Sequence, residues 1–97
     1  MSIIVMKFGG TSVADINCIK NVAKKIKNEV SKNQKIVVVV SAMAGTTNQL
    51  IDWVKETSNN INKREYDVVV SAGEQITSGL LTIALNNHNI IARSWLG

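Results

Sequence analysis

Chemistry in this chain concentrates first in Lys7-Phe8-Gly9-Gly10-Thr11-Ser12. Adjacent glycines let the backbone turn sharply and leave no side chain between their N–H groups and a ligand. A lysine just before them sets an ammonium beside the turn. A helix starting after it aims peptide dipoles and unpaired N–H groups at the same spot, which favours an anion such as phosphate. The pattern is neither G-x-x-x-x-G-K-[ST] nor G-x-G-x-x-G. The same residues also describe a plain Gly-Gly turn with a lysine beside it, and residue types alone leave the two readings level.

Two later stretches add polar groups. Ser41-Ala42-Met43-Ala44-Gly45-Thr46-Thr47-Asn48 is a loop of small and hydroxyl residues. Thr46, Thr47 or Asn48 there is a normal helix N-cap, and a capping hydroxyl at a ligand-facing edge can also bind substrate. Glu74 follows Gly73 and is the sole charged residue between Val68 and Asn87. A carboxylate in such surroundings needs a partner if buried. It suits either the positive end of a helix dipole or a cationic group on a ligand.

These groups need elements to hold them. The β-branched run from Ile3, bounded by Gly9-Gly10, reads as a buried strand. Ile16, Ile19, Val22, Ala23, Ile26 and Val30 fall at helical spacing, with Asp15 or Ser12 as cap, and Cys18 beside the stripe as a packing residue. Ser31-Lys32-Asn33-Gln34 forms the turn into Lys35-Ile36-Val37-Val38-Val39-Val40-Ser41, the clearest strand. Its apolar residues are continuous, which predicts cover on both faces. A β-α-β order implies a parallel sheet with a right-handed crossover, and ligands in such sheets sit beyond the carboxyl ends of the strands. The lysine–glycine turn and the hydroxyl loop both belong to that edge. Leu50, Ile51 and Val54 face a second helix inward. Residues 57–64 read as a connection. Residues 67–71 look like a strand by propensity and 76–85 like a helix. His88, the only histidine, reads as an exposed residue of the last helical turn. Residues 90–96 form a third candidate strand.

Composition sets the class. A chain of 97 residues is one domain at most and buries roughly two-thirds of its unfolded surface. Hydrophobic content of 45% fits a globular fold, and with aromatics at 4% the core must be Ile, Val, Leu and Ala. One cysteine excludes an internal disulfide and fits a reducing compartment. The first apolar run is too short for a signal peptide and no segment approaches a membrane span, so the expected location is the cytoplasm, with no membrane partner. The net charge of +4 gathers on Lys20, Lys24, Lys25, Lys27, Lys32 and Lys35. With neither arginine nor aromatic residues interleaved, these read as the wet face of a helix rather than a nucleic-acid surface. No histidine, cysteine or carboxylate cluster has metal spacing.

Three blocks now stand in order: Lys7-Phe8-Gly9-Gly10-Thr11-Ser12-Val13, the loop from Ser41 to Asn48, and Ser71-Ala72-Gly73-Glu74-Gln75. Together they closely resemble the start of the aspartokinases, in the amino-acid kinase family. The resemblance covers essentially the whole chain but only about the first quarter of a typical aspartokinase. It implies part of a three-layer α/β/α fold with a mainly parallel sheet, and a helix throughout 66–87 against the propensity of Val68-Val69-Val70. It implies that Lys7 contacts the transferring phosphoryl group, with Phe8, Gly9 and Gly10 in the ATP phosphate site. Ser41 and Thr47 would contact L-aspartate, and Glu74 would hold its ammonium group.

The reaction so implied passes the γ-phosphoryl of ATP to the aspartate side-chain carboxylate, towards lysine, threonine and methionine. That acceptor is already ionised at pH 7, so no general base is required. Alignment and charge neutralisation by lysine, backbone dipoles and Mg²⁺ on the nucleotide phosphates are. In the family, the rest of the kinase domain supplies most of the nucleotide pocket and an arginine for aspartate, and regulatory ACT domains follow. The 97 residues thus correspond to the N-terminal part of a catalytic domain, expected to be inactive alone and to need a complementary chain. Two alternatives stand beside this: another kinase of the fold, acting on glutamate or a nucleotide, and a split or decayed piece with no chemistry.

Overall fold

The computed structural model describes residues 3–32 and 34–95. Five elements follow one another: β1 (Ile3–Phe8), α1 (Ile16–Val30), β2 (Lys35–Val40), α2 (Thr46–Thr57) and α3 (Lys63–Asn87). The strands pair in parallel from Ile3 opposite Lys35 to Phe8 opposite Val40. Both end at one edge, where the Ser41 N–H donates to the Phe8 carbonyl at 3.2 Å.

Helix α1 forms where the apolar spacing places it. Asp15 caps it, accepting the Cys18 N–H at 2.8 Å, and its stripe buries Ile19, Val22, Ala23 and Ile26. Lys20, Lys24, Lys25 and Lys27 lie on its wet face. With Val13, Leu81 and Leu85 this stripe is the core, and Met6, Phe8, Ile36, Val38 and Val40 pack against it from the sheet. Helix α2 packs on α3 through the buried Leu50.

The continuous apolar runs predicted cover on both sheet faces. The described residues cover one. Both strands alternate between exposed and half-buried, because α1 and α3 lie on the same side. Ile3, Val5, Val37 and Val39 stay exposed. Of a three-layer α/β/α architecture, the sheet and one helical layer are therefore present here.

The helix that the resemblance implied throughout 66–87 is present: α3 runs unbroken for 25 residues, since packing on α1 and α2 outweighs the weak β preference of residues 67–71. Two boundaries moved. Lys63 and Arg64 belong to α3, which Asn62 caps by accepting the Arg64 and Glu65 N–H groups. Residues 90–95 make no ladder. Ile90, Ala92 and Ser94 are half-buried and Ile91, Arg93 and Trp95 exposed, which is strand-like alternation. This segment, β2 and α3 line a groove of about 840 Å³, and among the described residues β1 and β2 pair only with each other. Leu96 lies outside the described residues.

His88 is half-buried rather than exposed, as the C-cap of α3. Helix α3 also corrects the reading that no segment reaches membrane-span length. Its length and composition suffice to cross a bilayer, although here it packs against both other helices and gives Leu81 and Leu85 to the core.

Candidate active site

The carboxyl edge of the sheet gathers three chain segments around Ala42. The first is the turn after β1, closed where the Ser12 N–H donates to the Gly9 carbonyl at 3.0 Å. A Cβ added at Gly10 would stand 3.5 Å from the Ala42 carbonyl oxygen. The second is the loop from Ser41 into α2. The third is α3 at Gly73, where an added Cβ would stand 3.0 Å from Ala42 Cβ and 3.4 Å from Thr46 Cγ2 and from Leu50 Cδ1. Real Cβ atoms essentially never approach closer than the first of these distances.

The hydroxyl loop is built differently from the expected cap. No side chain caps α2. Its N-cap is Gly45, in the left-handed region at φ 81°, where glycine costs nothing. The Thr46 N–H closes the preceding turn on the Met43 carbonyl at 3.1 Å. Thr46 and Thr47 thus fall inside the first helical turn, Thr46 half-buried and Thr47 exposed.

Glu74 is exposed on α3. It lines a recess of about 300 Å³ with Ser71, Gln75, Ser78, Trp95 and the end of β2. Ser71, Gln75 and Ser78 lie three or four positions from Glu74 or from one another, the spacing of one helix face. Ser78 escaped the sequence reading. Its signal was that spacing, within the helix expected throughout 66–87. The Arg93 guanidinium stacks over the Trp95 ring at 5.4 Å beside this recess.

Lys7 is the outlier among the expected groups. It is exposed and leaves β1 on the bare sheet face with Ile3 and Val5, opposite Phe8, which points into the core. Among the described residues it makes no hydrogen bond or ion pair with Ser41, Thr47 or Glu74. The backbone of Phe8, Gly9 and Gly10 and the loop of Ser41 meet at the rim; the Lys7 side chain starts one position below it.

Electrostatically the rim holds one lysine, one carboxylate, a glycine turn and several hydroxyls. Such a set can bind an anion at the glycines and an ammonium at the carboxylate. Among the described residues no three His, Cys, Asp or Glu side chains gather as a metal site.

Comparison with known proteins gives this arrangement its context. The family model for the amino acid kinase family matches residues 2–96. An aspartokinase of Rickettsia conorii is 52% identical over 99 aligned positions, covering 99% of this chain and 25% of its own length. An aspartate kinase of Pseudomonas putida is 48% identical over 97 positions, covering all of this chain and 24% of its own. The crystal structure of an aspartate kinase from Synechocystis superposes with a TM-score of 0.85 at 44% identity, covering 90% of this chain and 15% of that one. The chain therefore spans about a quarter of the length of the curated relatives it matches. Matched by the family model from residue 2 to residue 96, the chain belongs to the amino acid kinase family.

Proposed function

We propose that this chain forms the N-terminal part of an aspartate kinase catalytic domain, carrying the sheet edge on which ATP and L-aspartate meet. The observation that carries the proposal is the junction at Ala42. There a glycine turn suited to phosphate, a hydroxyl loop and the Gly73–Glu74 segment adjoin, in a chain about half identical to aspartokinases.

In this reading the N–H groups of Gly9 and Gly10 and the Lys7 ammonium hold the γ-phosphoryl as charge builds on it. Ser41 and Thr47 orient the aspartate, and Glu74 takes its ammonium. The aspartate side-chain carboxylate attacks phosphorus, the bond to the ADP oxygen breaks, and 4-phospho-L-aspartate and ADP leave. The acceptor arrives ionised, so these residues align and neutralise rather than move a proton. Mg²⁺ would be held through the nucleotide phosphates, where it would supply charge neutralisation. The rest of the nucleotide pocket comes from a further part of the kinase, in the same chain or a complementary one. The proposed location of this activity is the cytoplasm, where ATP is available.

The test is aspartate-dependent ADP release. The 97-residue chain by itself is expected to give none. Substituted for the matching segment of the Rickettsia conorii aspartokinase, it should give turnover that Lys7→Ala lowers by about a hundredfold or more. Lys7-dependent turnover by the separate chain, or a dead fusion, overturns the proposal. Glutamate in place of aspartate serves as the substrate control.

A piece without chemistry of its own has two observations in its favour. The radius of gyration is 15.3 Å, against roughly 12–13 Å for a compact domain of this length, and one apolar sheet face is bare. A cooperative, concentration-independent thermal melt of the separate chain counts against that reading.

A further inference from the structure

We propose that Gly73 is a positioning residue, whose missing side chain lets α3 seat against Ala42 and so sets Glu74 relative to Ser41 and Thr47. The inference rests on the aspartate kinase reading and deepens it.

Glycine inside a long helix is unfavourable relative to alanine. Gly73 nevertheless lies well inside α3 and is buried. An added Cβ there would meet Ala42 Cβ at 3.0 Å. Neither side gives way easily. Ala42 is buried with its backbone held between β2 and α2, and it has no rotamer by which to swing aside. One turn further on, Thr77 is fully buried, so α3 is packed in on that side as well; its hydroxyl is satisfied within the helix by donating to the Gly73 carbonyl at 3.1 Å. Gly79, on the same helix, has nothing within 4 Å of an added Cβ, so closeness is special to position 73.

The contact is directional. On its near side stand Ser41 and, through Thr46, Thr47. On its far side stands Glu74, one residue along α3. The groups assigned to aspartate are thus joined through Ala42–Gly73, whereas the phosphate turn meets Ala42 on its carbonyl side, at Gly10, so a shift of α3 away from an Ala42 that keeps its place does not reach the turn. Widening the contact displaces Glu74 from the hydroxyls and leaves the phosphate turn where it is. Aspartate binding should suffer and ATP binding should not.

The test uses the fusion carrying this whole chain, with separate KM values for aspartate and ATP. Gly73→Ala should raise the aspartate KM by about tenfold and change the ATP KM by less than about twofold. Ala42→Gly combined with Gly73→Ala moves the methyl group to the other side of the contact and should bring the aspartate KM back to within about threefold of the parent. Equal changes in both KM values overturn the inference, as does a double variant that folds without recovering aspartate affinity, or one that does not fold. If Gly73→Ala alone does not fold, the double variant decides by its aspartate KM. A dead unsubstituted fusion sinks the kinase reading and this inference with it, whereas an active fusion whose variants show no split sinks the inference alone.

Discussion

Asp15 accepts the Cys18 N–H at the start of α1, and this bond holds its carboxyl below the ordinary value of 3.8. The ionised form is the better acceptor, so the folded chain favours it. The contribution to stability is complete above the ordinary value and is lost as pH falls through the lowered one. Helicity of α1, followed by far-UV circular dichroism from about pH 5 to about pH 2, should therefore decline. In Asp15→Asn the cap survives, because asparagine is also a good acceptor, and this part of the acid limb should flatten. Asp15→Ala should be less helical at every pH. An Asn variant with an unchanged acid limb would assign the effect to other carboxylates.

Two glycines on one helix should respond with opposite sign. Gly79 has open space where a Cβ would go, so Gly79→Ala should stabilise the chain by about 0.5–1 kcal/mol, by removing backbone freedom from the unfolded state. Gly73→Ala carries the same propensity gain but must push α3 from Ala42 and should come out destabilising. Chemical denaturation of both variants reads the two signs. Equal, stabilising values would mean that the α3–loop contact is looser than described. The helix itself shows what propensity leaves undecided. Val68-Val69-Val70 reads as strand, and only the surface that α3 buries against α1 and α2 makes it helical.

At the scale of the molecule, the sheet has a packed face and a bare one, and substitutions should divide accordingly. Ile19→Ala in the packed face should cost about 2–5 kcal/mol. Val37→Thr on the bare face, where Val37 is 52% exposed, should cost less than about 1 kcal/mol and reduce self-association, measured by sedimentation. A large destabilisation from Val37→Thr would mean that this face is covered in solution. Parallel sheets are ordinarily buried on both sides, and the runs in β1 and β2 are written for that setting. The expectation of two covered faces is not met among the described residues, because α1 and α3 take the same side of the strands and Ile3, Val5, Val37 and Val39 stay exposed.

The elements before α3 were legible because their signals are local: strand runs ended by Gly9-Gly10 and by Ser41, a helical stripe from Ile16 to Val30, and an acidic cap. The three motif blocks were legible for the same reason, since each is a short run of residue types. What required tertiary structure was every relation between segments distant in sequence. Which side of the strands the helices take, why residues 90–95 lack a partner, and why Gly73 must be glycine all depend on atoms brought together from different elements. Periodicity and propensity are properties of neighbours along the chain; the approach of Gly10 and Gly73 to Ala42 is a property of packing, and only the folded chain decides it.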